Sequence, residues 1–263
     1  MLIDTHCHLD FPEFDLSRQN IIKKCHQFNI DYFIVPSITR TRWENLFKLS
    51  DQYAEIIPAI GLHPYFISEH QKSDLDHLEK QCQLYQGQLH QGQLHQGILI
   101  GETGLDFYRK DLHKDKQIFY FDAQLSIARQ YHSPIIIHAR KSHDKVISMI
   151  KSSAVEGGII HAFNGSYEQA KEYMKYNFKF GFGGAMTYLA ANKIRKLAKQ
   201  LPLDSIVLET DAPDMRPSFI SKDEINSPVN IHLYINELSL LRPEDTDVIE
   251  EQIAHNTRTL IGF

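Results

Sequence analysis

The chain has 263 residues, of which 42% are hydrophobic and 23% charged, the composition of an ordinary globular protein. Its 28 Lys and Arg residues against 33 Asp and Glu give a net charge of −5, which argues against an extended duplex-binding surface but not against a site that grips one or two phosphates. With no apolar stretch near the ~20 residues needed to cross a bilayer and no amino-terminal signal segment, we expect a monomeric, cytoplasmic protein without membrane contact.

Short apolar runs rich in Ile, Val and Phe recur along the chain, with amphipathic segments between them. Several runs show little alternation, which is typical of strands buried on both faces of a parallel sheet. Eight such units in about 250 residues indicate an α/β fold of the (β/α)8 TIM-barrel type, with a doubly wound open sheet as the alternative. The predicted strands lie within residues 2–9, 31–38, 56–64, 97–106, 134–139, 157–163, 178–185 and 205–213, and the predicted helices include 17–28, 116–131 and 191–201.

The first run reads "IDTHCHLDF" and carries His6 and His8. On a strand, residues two apart point to the same face, so both imidazoles would face one way and Cys7 the other. Two adjacent imidazoles are natural ligands to one metal ion, and a hydrogen-bonded histidine pair is the alternative. Cys7, Cys25 and Cys82 have no paired spacing, which predicts reduced thiols, and we expect Cys7 to be a small buried residue.

The segment "QGQLHQGQLHQG", residues 86–97, repeats a five-residue unit and interrupts the regular pattern. Its His90 and His95 lie about 140° apart around a helix, so they do not share a face. A metal-binding tract and a tolerated surface insertion are the two interpretations, and we favour the insertion. No linker is visible, so residues 1–263 are predicted to form a single domain.

Polar residues recur where the predicted strands end. In a barrel these ends form the active-site face. One such histidine is more often a hydrogen-bonded structural residue, and an acid before proline often forms a turn. Six strand ends that all carry His, Glu or Asp are instead unfavourable for packing, and together they predict a metal site. The residues are His6, His8, His63, Glu102, Asp106, His138, His161, Glu209 and Asp211.

Six segments, "DTHCHLDF", "GLHP", "GETGLDFY", "IIIHAR", "IIHAFNGS" and "LETDAP", resemble the signature segments of the TatD-type metal-dependent hydrolases of the amidohydrolase superfamily. The resemblance runs almost end to end and implies a distorted (β/α)8 barrel with two adjacent divalent metal ions. It implies that His6, His8 and Asp211 bind one ion, that His138 and His161 bind the other, and that Glu102 bridges them. The "QGQLH" insertion and the acidic stretch after Lys222 depart from the family pattern.

The expected ions are Zn, Mn or Mg. Imidazole ligands favour Zn or Mn, because Mg prefers oxygen ligands, and the family resemblance keeps Mg among the candidates. Two ions of this kind activate a water and stabilise the oxygens of an in-line displacement. Asp211 is the candidate for accepting the proton of that water, and Glu102 is the second carboxylate that we expect to be catalytic. The resemblance implies that His63 faces the scissile phosphate, with a buried histidine bonded to a backbone carbonyl as the alternative. Arg140 and Asn164 are candidate substrate contacts, with a structural ion pair and a turn as their respective alternatives. Asp106 is expected to orient a metal ligand or to order its loop, and the glycines of "GFGG" (181–184) are expected to allow close packing.

These features favour a phosphodiesterase or deoxyribonuclease, in particular a 3′-end exonuclease on single-stranded nucleic acid, with small phosphate esters as alternative substrates. A small-molecule amide or ester hydrolase of the amidohydrolase superfamily is the second hypothesis. A non-catalytic binding protein is the third, and the complete predicted ligand set argues against it.

Overall fold

The computed structural model describes residues 1–85, 98–155 and 157–262, so the predicted insertion at 86–97 lies outside the described residues. Eight strands form one sheet in which each strand pairs in parallel with the next along the chain. This order, with a helix after each strand, confirms the predicted TIM barrel. The strands are β1 (Leu2–Asp4), β2 (Ile30–Pro36), β3 (Ile56–Ile60), β4 (Leu99–Asp106), β5 (Ile135–Arg140), β6 (Gly158–His161), β7 (Phe178–Phe182) and β8 (Ile206–Leu208).

The helices surround the sheet, and the last strand is followed by two of them. Within the described ranges, none of the helices combines the length and apolarity that crossing a bilayer requires. The helices are α1 (Arg18–His26), α2 (Trp43–Gln52), α3 (Lys72–Tyr85), α4 (Lys114–Tyr131), α5 (His143–Ser153), α6 (Tyr167–Met174), α7 (Asn192–Gln200), α8 (Ile231–Leu241) and α9 (Thr246–Ile261).

The strands are apolar on both faces because two separate layers of core cover them. Ile34 and Ile136 belong to a small cluster that fills the barrel interior, with Ile261 from the end of α9 packed against it. Their neighbours Phe33 and Ile135 belong to the larger cluster between strands and helices. Since side chains alternate along a strand, His138 on β5 shares the interior face of Ile136, two residues before it. The barrel interior is therefore apolar toward the amino ends of the strands and carries polar groups near their carboxyl ends.

The barrel closes where β8 meets β1, and it does so mostly beyond the ends of the two strands. The Thr5 amide and hydroxyl both donate to the carbonyl of Leu208, at 3.1 and 3.0 Å. Further along, the Asp211 amide donates to the His6 carbonyl and the His8 amide to the Ala212 carbonyl, each at 2.7 Å. This junction brings the first residues of the chain beside residues some two hundred positions later.

Candidate metal centre

His6 and His8 reach the site from a loop, because β1 ends at Asp4. The prediction that both lie on the first strand is therefore wrong, and strand alternation does not explain their direction. Backbone hydrogen bonds across the barrel junction hold the loop instead, and the two rings meet edge to face with centroids 5.1 Å apart. Cys7, between them, is fully buried, as expected.

Asp211 lies where three of the predicted imidazoles converge. Its Oδ1 is 3.6 Å from His6 Nε2 and 3.5 Å from His8 Nε2, and its Oδ2 is 3.6 Å from His161 Nε2. Asp211 also has a φ of 54°, and Ala162 beside His161 has a φ of 45°. A non-glycine residue in this left-handed region costs on the order of 1 kcal/mol and persists where the surrounding structure imposes it.

Glu102 occupies the other side of the same space. Its Oε2 lies 3.2 Å from His6 Nε2, and its Oε1 lies 3.2 Å from His63 Nε2 and 3.1 Å from His138 Nδ1. Glu102 thus faces three imidazoles at once, and His6 contacts both Glu102 and Asp211. The structure brings together His63 and all six residues that the resemblance implies as ligands.

An irregularity in β4 turns Glu102 toward this space. Leu99 belongs to the interior cluster and Ile100 to the outer one, so regular alternation would place Glu102 on the outer face with Ile100. The register of β4 against β5 shifts between Ile100 and Thr103. Such a bulge re-aims side chains, and Glu102 consequently points inward.

Each of three imidazoles faces a carboxylate or carbonyl oxygen with its other nitrogen. His138 Nε2 lies 3.1 Å from Asp106 Oδ2, His161 Nδ1 lies 3.1 Å from Glu209 Oε2, and His8 Nδ1 donates to the Pro36 carbonyl at 3.1 Å. Carboxylate or carbonyl partners of this kind fix the tautomer and orientation of metal-ligating histidines. In a neutral ring the nitrogen that faces Glu102 or Asp211 then carries the lone pair, and an ion that bound there would displace any proton on it.

His63 differs from the other imidazoles in its tautomer. The Tyr65 amide donates to His63 Nδ1 at 3.1 Å. Because a neutral imidazole that accepts at one nitrogen carries its proton on the other, His63 Nε2 donates toward Glu102. This arrangement suits a hydrogen-bond donor to a bound anion better than a metal ligand.

The carboxylates of the centre stay ionised because the imidazoles surround them. Burial alone raises the pKa of Glu102, but His63, His6 and His138 outweigh it and hold that pKa well below its usual range. Burial likewise raises the pKa of Asp211, and His161, His8 and His6 lower it further than burial raises it. The centre therefore holds two ionised carboxylates at neutral pH.

The donor set fits divalent cations. Three groups of side chains each place one ligand atom per residue within 4.8 Å of the others: His6 with His161 and Asp211, His6 with His8 and Glu102, and His63 with Glu102 and His138. His6 Nδ1 is buried without a hydrogen-bond partner, and His6 Nε2 faces Glu102 and Asp211 without hydrogen-bond geometry to either, which is costly unless something else binds there. Mixed imidazole and carboxylate donors suit first-row divalent metals.

Arg140 and Asn164, the predicted substrate contacts, lie beside the centre rather than in it. Arg140 ends β5, and its guanidinium stacks on the Tyr108 ring at 3.9 Å from the centroid. Asn164 Oδ1 lies 3.2 Å from His143 Nε2, and Asn164 Nδ2 donates to the Ala162 carbonyl at 3.2 Å. Both residues line clefts that open next to His138 and His161.

Asp4 and Glu209 support the centre, and the sequence did not single either out for that role. Asp4 is fully buried, and it accepts hydrogen bonds from the Thr210 amide at 2.9 Å and the Thr210 hydroxyl at 2.5 Å. Burial raises the pKa of Asp4 to about 8 even though those bonds oppose the shift. The sequence feature that could have indicated this role of Asp4 is an acid inside the apolar run "LIDTH". Asp4 ties β1 to the segment that carries Asp211.

A parallel barrel whose carboxyl-end rim gathers buried imidazoles around two carboxylates defines a metal-dependent hydrolase of the (β/α)8 type. The model of the TatD related DNase family matches residues 3–262, and the chain belongs to that family.

Individual relatives agree with this membership. The metal-dependent hydrolase YjjV of Escherichia coli is 33% identical over 99% of this chain and 97% of its own length. The crystal structure of YjjV superposes with a TM-score of 0.92, covering 100% of this chain and 98% of that one at 32% identity. The 3′-5′ ssDNA/RNA exonuclease TatD of Erwinia amylovora is 26% identical over the full length of both chains.

Proposed function

We propose that the protein is a two-metal phosphodiesterase that removes nucleotides from the 3′ end of single-stranded DNA or RNA. The observation that carries the proposal is the convergence of four imidazoles and two carboxylates at the rim of the barrel, with His6 facing both acids. The full-length similarity to a relative that is named as a 3′-5′ ssDNA/RNA exonuclease supports the choice of substrate.

In this proposal His6, His8 and Asp211 would hold one ion, His138 and His161 would hold the second, and Glu102 would be a ligand of both. Divalent ions bound there would supply Lewis-acid activation of a water and of the scissile phosphate. Zn, Mn and Mg are the candidate ions.

The protein's own groups position substrate and handle the proton. Asp211 is ionised and contacts three imidazoles. It is placed to accept a proton from the attacking water. His63 Nε2 donates toward the centre and is placed to hydrogen-bond a phosphate oxygen. Arg140 and Asn164, at the edge of the site, are placed to hold the adjoining part of the substrate.

The test is cleavage of an oligonucleotide labelled at its 5′ end, with Mn, Mg or Zn added to protein that has been stripped of metal. We expect stepwise shortening from the 3′ end, and we expect His138→Ala to reduce it at least about 100-fold, since removing even an outer partner of a ligand costs 10–100-fold. His77→Ala, on the exposed face of α3, is the matched control and should retain full activity.

Absence of shortening with every metal would refute the nuclease proposal, as would full activity of His138→Ala. Hydrolysis of acyl esters or amides, but not of phosphodiesters, would establish the second hypothesis instead.

A further inference from the structure

A cleft of about 600 Å³ opens on the carboxyl-end face beside the metal centre. The segments that follow β4, β5 and β6, together with the start of α7, form its walls. We call it the basic cleft, after its cationic lining residues Arg140, Lys141, Lys145 and Lys193.

The charge of the basic cleft is opposite to that of the whole chain. Four cationic side chains line it in a protein whose net charge is −5. Among the described residues of its lining, Asp144 is the one acid, and its Oδ1 accepts from Gln169 Nε2 at 2.6 Å. Cations gathered on concave walls focus the field and attract anions.

One side of the basic cleft has a flat aromatic surface. The Tyr108 side chain is 56% exposed, and the Arg140 guanidinium stacks on its ring. Lys193 Nζ, on the other side, donates to the Asn164 carbonyl at 2.5 Å, which fixes its position on the wall. Aromatic rings next to cationic groups are the usual arrangement for binding single-stranded nucleic acid, because the bases stack while the cations hold phosphates.

A second cleft connects the basic cleft to the metal centre. It has a volume of about 340 Å³ and shares Arg140 and Asn164 with the basic cleft. At its other end it includes His138, His161 and Asp211. Apolar groups, among them Phe163, Phe182, Ile194 and Met215, line the part between. Arg140 follows His138 by two residues on β5, roughly 6.5 Å along the strand, a distance that one nucleotide can bridge.

We infer that the basic cleft is the binding site for the phosphate adjacent to the scissile one, with the intervening nucleotide in the apolar connecting cleft. This inference rests on the proposed function and extends it. The neighbouring phosphate is neutralised by Lys141, Lys145 and Lys193. The side chains of Arg140 and Tyr108 line the path that leads to it. A substrate with two or more phosphodiester linkages is therefore bound more tightly than one with a single linkage.

The test compares two double variants with the same loss of charge. Lys141→Gln/Lys145→Gln changes the basic cleft, and Lys23→Gln/Lys24→Gln changes exposed lysines on α1. We expect the first to raise KM for a single-stranded oligonucleotide about tenfold and to flatten its dependence on salt, because fewer counterions are released. We expect the α1 variant to change KM by less than about twofold, since phosphate contacts act locally. Hydrolysis of bis(p-nitrophenyl) phosphate, which has no second phosphate, serves as the reference reaction for both variants.

A second measurement locates the phosphate. Oligonucleotides that carry one neutral methylphosphonate linkage at successive positions are compared in the wild type and in the basic-cleft variant. At the linkage next to the scissile one, we expect the variant to lose less affinity than the wild type, because the two changes remove part of the same interaction.

The outcomes separate this inference from the proposed function. A wild type that shortens oligonucleotides, with equal KM for the two double variants, would refute the basic cleft as a subsite and leave the nuclease proposal intact. Additive losses at every methylphosphonate position would refute it in the same way. A wild type that cleaves neither an oligonucleotide nor the small diester would refute both.

Discussion

His161 shows how single residues set the chemistry of the centre. Burial lowers its pKa, but Glu209 and Asp211, on its two nitrogens, raise that pKa well above the usual value. The ring of His161 stacks on that of His6 at 3.6 Å, and burial and His161 together lower the pKa of His6. A cation that bound here would displace protons from some imidazoles and find others already neutral.

The three cysteines provide a prediction at the same scale. Cys7, Cys25 and Cys82 are all free and buried. Burial raises the pKa of Cys82 to about 12 and that of Cys7 well above its usual value. Because the thiolate is the reactive form, we expect no rapid reaction with Ellman's reagent at pH 8 in the folded protein. Three thiols should react after unfolding in guanidinium chloride, and a fast stoichiometric reaction of the folded chain would contradict the burial.

At the scale of elements, β7 has a glycine, Gly181, where the Glu209 side chain packs against the strand. A Cβ on Gly181 would lie 2.0 Å from Glu209 Oε2, so the absence of a side chain there makes room for the carboxylate that faces His161. The Ala162 amide donates to Glu209 Oε1 at 2.6 Å and fixes the same carboxylate from the other side. The close packing expected for "GFGG" is confirmed, and it serves the position of Glu209.

Gly181→Ala should therefore cost both stability and activity. We expect a loss of about 2 kcal/mol in the free energy of unfolding, because overpacking a filled site costs 1–3 kcal/mol, together with a lower kcat as Glu209 moves. Gly262→Ala is the control: a Cβ there meets nothing within 4 Å, although its φ of 73° is left-handed. It should keep full activity, and chemical denaturation with a kinetic assay measures both effects. Unchanged kcat in Gly181→Ala would show that Glu209 does not position His161.

At the scale of the whole molecule, the metal centre lies at the junction that closes the barrel. Thr5 bonds to Leu208 at the end of β8, and the backbones of His6 and His8 bond to the segment that follows it. Asp4 bonds to Thr210 across the same junction. An ion held by His6, His8 and Asp211 would join the two edges of the sheet a second time, so we expect metal binding to be coupled to closure of the barrel.

Metal should therefore stabilise the fold. With a free ion at 100 times its Kd the gain is about 2.7 kcal/mol, which corresponds to a rise in Tm of roughly 5–10 °C for a chain of this size. Differential scanning fluorimetry with and without Mn or Zn, and with EDTA, measures it. His6→Ala, which lacks a ligand of the ion at the junction, should show a clearly smaller rise.

A variant with His90→Gln and His95→Gln provides the second control, since the metal-tract interpretation of residues 86–97 also stays a prediction. We expect this variant to keep the rise in Tm. Loss of the rise in this variant, with the rise retained in His6→Ala, would place the ion at the repeat and contradict the coupling to barrel closure.

The sequence by itself determined the strands and the identity of the clustered residues. Apolar runs and the segments between them depend on neighbours in the chain, so their periodicity revealed eight strand–helix units, and polar residues at the ends of those runs marked the rim. His138 and His161 were predictable in this way, because His138 lies near the end of β5 and His161 ends β6.

Only the tertiary structure decided how those residues face one another. The strand before His6 and His8 stops at Asp4, and their direction comes from hydrogen bonds to a segment more than two hundred residues away. Glu102 points inward because β4 changes register against β5. The supporting positions of Asp4 and Glu209 and the row of clefts beside Arg140 depend on the same long-range contacts. No pattern of neighbouring residues encodes such contacts, since they form only when the two edges of the sheet meet.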